Sequence, residues 1–140
     1  MIRGRQRWAR LARIRIDGEP PVKKNGQKIA RRGKNGPSFL LPNPNYTAWL
    51  QGALYQIKSA WRRAGHTQPI GSEHERVWLC MHFVLVDSAS DQSNLYEAVQ
   101  DALQEAGVLT NDYWIASHDG SDRVRGARAY VEVQVMACAQ

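Results

Sequence analysis

The sequence predicts an α+β fold, a single compact domain in which a mixed β-sheet packs with two main helices. Three observations predict it. Arg76–Val86 (RVWLCMHFVLV) is apolar on both faces, the pattern of a central strand covered on each side. Ala129–Met136 alternates with period two, the pattern of a strand with one wet face. Two further stretches repeat apolar residues every three to four positions, as amphipathic helices do. The chain has 140 residues, enough for one core without disulfide staples. No apolar run approaches the ~20 residues that a spanning helix needs.

The elements follow in order. Residues 1–10 are Arg-rich and read as a basic N-terminal arm, with the folded domain over 11–140. The arm lacks the apolar segment and small-residue cleavage site of a secretory signal. Leu11–Ile16 reads as a short strand that Gly18-Glu19-Pro20-Pro21 stops. Asn-Gly pairs at 25–26 and 35–36 flank Gln27–Ala30 and Ser38–Leu41, which predicts a basic hairpin or flap. The first helix is introduced by Asn43 or Asn45 as cap, with Pro44 suited to the first helical position. Its apolar face is Tyr46, Trp49, Leu50, Ala53, Ile57, Ala60 and Trp61; Arg62 and Arg63 suit its last turn, and Gly65 its end. Within the central strand, His82 reads as a satisfied core residue and Cys80 as a buried thiol. The second helix is expected from about Asn94 to Ala106, with Leu95, Val99, Ala102, Leu103 and Ala106 inward and Gly107 at its end. Tyr113–Ser117 reads as a brief strand, and Asp119-Gly120-Ser121-Asp122 as a turn.

Charge divides the chain. The net charge is +6, but residues 1–70 carry 15 Lys/Arg against two acids, while 71–140 carry four Arg against 11 acids. A basic half suggests a polyanion partner, and an acidic half can hold a metal. Lys23, Lys24, Lys28, Arg31, Arg32 and Lys34 crowd the expected flap, and Arg62 and Arg63 can extend the track. Such contacts neutralise phosphates without reading sequence. Cys80 and Cys138 make no disulfide framework and have no zinc-like spacing.

The chemistry lies in the acidic half. Asp91 follows the central strand where the chain turns into a helix. Glu97, Asp101 and Glu105 recur every four residues and line one face of that helix. Asp112 follows in the next connection, and all of these carboxylates can converge on a hard cation such as Mg²⁺. The structural alternatives are plain. Asn94 and Glu97 resemble a capping box, Asp91 or Ser93 can cap the helix, and Glu105 reads as solvated surface.

The segment resembles the RusA family of Holliday junction resolvases. Its signature is Asp-x-Asp-Asn-Leu-x-Lys, a helix with Asp-Ala-Leu and Ala-Gly, and a closing Asp-Asp. Here the residues are Asp91-Gln92-Ser93-Asn94-Leu95-Tyr96-Glu97, Asp101-Ala102-Leu103, Ala106-Gly107 and Asn111-Asp112, in the same register. The early GEPPVKKNG turn and the PNPNYTAW helix start are similar more loosely. The resemblance implies a RusA-like nuclease domain, a homodimer that nicks four-way DNA junctions symmetrically in recombination and repair. It implies Mg²⁺, with Mn²⁺ as a substitute, and a cytoplasmic protein of a bacterium or prophage. Asp91 and Asp112 match the first and last family aspartates, Asp101 the helical one and Asn94 the asparagine.

Two positions depart from the family. Ser93 stands where it has its second aspartate, and Glu97 where it has lysine. They lie four residues apart, so Glu97 can supply the carboxylate that Ser93 lacks. On that reading Asp91, Asp112 and Glu97 hold metal, and Asp101 orients them or adds a ligand. Two alternatives stand beside it: a RusA-like protein that binds structured DNA without cutting it, and a basic RNA-binding protein.

Overall fold

Alternation in β1 (Ala9–Asp17) sets the sheet's two faces: Ala12, Ile14 and Ile16 are buried while Arg13, Arg15 and Asp17 are exposed. The computed structural model describes residues 7–21, 28–31, 36, 38–41, 44–87 and 90–139. The other elements are β2 (Lys28–Arg31), β3 (Ser38–Leu41), α1 (Pro44–Arg63), β4 (Glu75–Leu85), α2 (Gln92–Glu105), a 3-10 turn (Asp112–Trp114), β5 (Ile115–Ser117), β6 (Asp122–Arg125) and β7 (Tyr130–Ala139). The fold is the α+β arrangement the sequence predicts, one mixed five-stranded sheet with two helices. Among the described residues no helix is long and apolar enough to cross a membrane.

The sheet runs β1-β7-β4-β5, with β6 also on β4. β7 is antiparallel to both of its neighbours, whereas β5 and β6 run parallel to β4. β5 pairs with Val77 and Trp78, and β6 with His82–Leu85, so they flank β4 like one interrupted strand. The expected flap is a two-stranded hairpin, Lys28 opposite Leu41 and Arg31 opposite Ser38.

Both helices bury their stripes in one core. Ile14, Val133 and Met81 are cross-strand partners, as are Ile16, Val131 and Phe83, and all six are buried with Ala53, Ile57 and Trp61 of α1 and Leu95, Val99, Ala102 and Leu103 of α2. Fully burying a side chain of this size stabilises by about 1.5–3 kcal/mol, and this helix-covered face holds most of the buried apolar side chains. Pro44 is the first helical residue of α1, as expected, and the backbone bond from Gly65 to Arg62 O closes its far end.

Several expectations are corrected. β4 is not covered on both sides. Trp78, Cys80 and His82 face away from the helices and stay half-buried, because among the described residues no helix lies on that face. His82 therefore is not in the core; its Nδ1 pairs with Asp122. Cys138, rather than Cys80, is the buried thiol. The first strand begins at Ala9 rather than Leu11, and Trp8 packs edge-on against Trp78. β6 is an element the sequence reading missed. α2 starts at Gln92 with Asp91 as N-cap, so Asn94 lies inside the helix and the expected capping box does not form.

Candidate functional site

The site is built around α2. β4 delivers the chain to the helix start, where Arg123 of β6 donates from Nη1 to the Ser90 carbonyl. Asp91 takes the extended N-cap conformation (φ −66°, ψ 146°), and its carbonyl receives the Asn94 and Leu95 amides at 3.1 and 3.2 Å. Its side chain makes no capping hydrogen bond. An exposed carboxylate thus sits at the positive end of the helix dipole without being committed to the cap. Beside it, the Gln92 side-chain oxygen is buried with no hydrogen-bond partner.

Ser93 and Glu97 are both helical and both exposed. At four-residue spacing their Cβ atoms are about 5–6 Å apart, so the neighbour relation expected of them holds. Asp101, half-buried, and Glu105, exposed, continue the row. Facing it from α1 is Tyr46, only 6% exposed. Burial first, then the charges of Asp101, Glu105 and Glu97, push its phenol up to about 12. Tyr46 therefore stays protonated at neutral pH, with its polar end among acids. The sequence marked this residue only as core, because helical spacing reports the ring and not the hydroxyl.

The opposite flank of α2 carries an aromatic pair. Tyr96 stacks on His118, centroids 4.6 Å apart and planes 5° apart, and His118 Nε2 hydrogen-bonds Gln100 Oε1 at 2.6 Å. Burial lowers the His118 pKa, with Asp119 pulling the other way, so the imidazole is neutral at pH 7. Nothing in the sequence pattern singled out His118, which lies in the turn between two short strands.

Asp112 lies at the other end. Gly107 (φ 80°) turns the chain out of α2, and the Ile70–Leu109 bridge holds the connection. Asn111 Oδ1 accepts the Tyr113 amide, and the Asp112 amide donates to Gln104 Oε1 at 3.1 Å. Gln104 is thirteen residues beyond Asp91, about 20 Å along a helix rising 1.5 Å per residue. Within one chain, then, Asp91 and Asp112 do not converge as the sequence reading expected. Among the described residues no group of three or more His, Cys, Asp or Glu is close enough to hold a metal ion.

Of the expected phosphate contacts, Arg62 and Arg63 are exposed in the last turn of α1. Lys28 and Arg31 lie at the two ends of β2. Lys23, Lys24, Arg32 and Lys34 fall outside the described residues. The chain matches no protein-family model, and no curated protein matches it.

Proposed function

We propose that this protein is a RusA-like, Mg²⁺-dependent endonuclease that resolves four-way or other branched DNA, working as a homodimer in recombination and repair. The observation that carries the reading is the start of α2: an uncapping Asp91 at the helix terminus, followed by Ser93 and Glu97 as exposed neighbours one turn apart. The donor set is hard oxygen throughout. Mg²⁺ is commonly held by one or two carboxylates plus substrate phosphate rather than by an all-protein cage, so Asp91 with Glu97 fits it. Bound there, Mg²⁺ supplies Lewis-acid polarisation of the phosphodiester and a more acidic water.

The chain's own residues have separate tasks. Asp91 and Glu97 bind the cation. Asp101 orients them, beside the buried and protonated Tyr46. Asp112, at the far end of α2, serves a centre only when a second copy brings it there. The basic first half supplies sequence-independent affinity for phosphates. A cytoplasmic protein encoded by a bacterium or prophage accords with this role.

The test is a synthetic four-way junction with Mg²⁺ or Mn²⁺. Paired symmetric nicks are expected, and Asp91→Asn should abolish them while leaving junction binding intact. Cleavage that survives Asp91→Asn would overturn the assignment. A second reading, junction binding without cutting, is favoured by Ser93 standing where the family has its second aspartate; it predicts tight binding and no nicks at any metal concentration. Preference for structured RNA over the junction would instead support the RNA-binding reading.

A further inference from the structure

Between β1 and α1 lies an open cleft of about 540 Å³, walled by Arg13, Arg15 and Asp17 on the strand and by Tyr55, Ser59 and Arg63 on the helix. A second depression of about 650 Å³ adjoins it, sharing Tyr55, Ser59 and Arg63 and adding Lys58 and Arg62. Five cations therefore border one continuous concavity, with Asp17 and Glu132 as the acids beside them. Arg13 commits its Nε to Glu132, and Arg15 its Nε to Asp17 at 3.1 Å. Their Nη groups make no hydrogen bond among the described residues, and both side chains are about three-fifths exposed, 61% and 58%. Arg15 is further steadied over the Tyr130 ring, 3.9 Å from its centroid. These are guanidinium forks held in place by one edge with the other edge open, the arrangement that grips a phosphate. Tyr55 stands between them at 75% exposure, an aromatic surface of the kind on which a sugar or an unpaired base packs.

We infer that this β1/α1 cleft is a second nucleic-acid contact, in which Arg13, Arg15, Lys58, Arg62 and Arg63 hold the phosphate backbone of a duplex arm. The inference rests on the DNA reading above and adds to it a defined place. Tyr46, which faces the acidic row, and Arg63 are seventeen residues apart on α1, about 25 Å along its axis. At 3.4 Å per base pair that is about seven base pairs. The cleft thus holds an arm about seven base pairs from the Asp101–Glu105 stretch of the acidic row, and α1 sets the distance.

Two double variants test it, one on each wall: Arg13→Gln/Arg15→Gln and Lys58→Gln/Arg63→Gln. The second lies on an exposed helix face, so folding is not at stake; Arg128→Gln, outside the cleft, is the charge control. The probe is a four-way junction with arms of twelve or of five base pairs, titrated from 50 to 200 mM salt. On long arms each double variant should bind about tenfold more weakly than the parent. Two phosphate contacts fewer should also lower the parent's salt-induced loss of affinity by about twelvefold over that range. On five-base-pair arms the variants and the parent should agree. Variants that match the parent on long arms overturn the cleft but leave the DNA reading standing. A parent that does not bind the junction overturns both. Variant defects equal on both arm lengths overturn the spacing, and the same losses on structured RNA with none on DNA overturn the choice of ligand.

Discussion

Mixing two inactive variants tests how the carboxylates are divided. Asp91→Asn and Asp112→Asn are each expected to abolish cleavage. The distance between them decides what their mixture does. Asp91 and Gln104 are about 20 Å apart along α2. The Gln104 side chain, its 3.1 Å bond to the Asp112 amide and the two aspartate side chains close that gap only if all of them point towards each other along the helix. Two oxygens on one Mg²⁺, each at about 2.1 Å, are at most about 4 Å apart. In any other arrangement the two carboxylates of one chain stay too far apart to share an ion. If both then serve the same ion, they come from two copies, and a mixed dimer rebuilds one sound centre from the two unaltered aspartates. Random exchange of subunits makes about half the dimers mixed, and one centre in two within each is whole, so about a quarter of the parent's nicking should return. The assay is nicking of a labelled junction after the variants are refolded together, with each variant alone as control. Because only one centre per mixed dimer works, single nicks should replace paired ones. No recovery from well-mixed, folded dimers would refute the argument and leave Asp112 outside the metal centre.

Three other outcomes are expected. Glu97→Gln should slow cleavage by about 100-fold with junction affinity unchanged, while Glu97→Asp should restore part of the rate; parental cleavage by Glu97→Gln would remove Glu97 from the cation. Phe83→Ala, at a fully buried position between the two helices and the sheet, should cost about 3–5 kcal/mol in urea unfolding. The His118 pKa lies below 6.5 in the folded chain, so the unfolded chain binds more protons in that window and stability falls as pH drops from about 6.5 towards the folded value. His118→Gln should flatten that part of the profile, measured as thermal midpoint against pH.

Local pattern made much of this fold legible. The α1 stripe, its Pro44 start and its Gly65 end came from side-chain spacing and backbone chemistry that act within a few residues. β7 was legible because one face is wet and the other buried. The sheet's second face was not. Trp78, Cys80 and Met81 make β4 apolar in composition, but composition does not say whether a helix lies over it. β6 escaped because its four residues, Asp-Arg-Val-Arg, hold a single apolar side chain and gain their strand from pairing with β4. The site shows the same division. The i, i+4 relation of Ser93 and Glu97 could be read once a helix was expected there. The distance from Asp91 to Asp112 could not, because a count of residues does not say that the chain leaves α2 at its far end.

Two of the sheet's three outer strands are built from charge; the third, β5, is three uncharged residues long. β6 is exposed along its whole length and carries Asp122, Arg123 and Arg125, and β1, on the other side, carries Arg10, Arg13 and Arg15. An unpaired strand edge invites another chain to extend the ladder, and charged side chains on it discourage that. This sheet is therefore poorly suited to growth by strand addition. A concentrated solution of the protein should resist the sideways stacking that seeds fibrils, and assembly with a second copy is directed to helices or faces instead of edges.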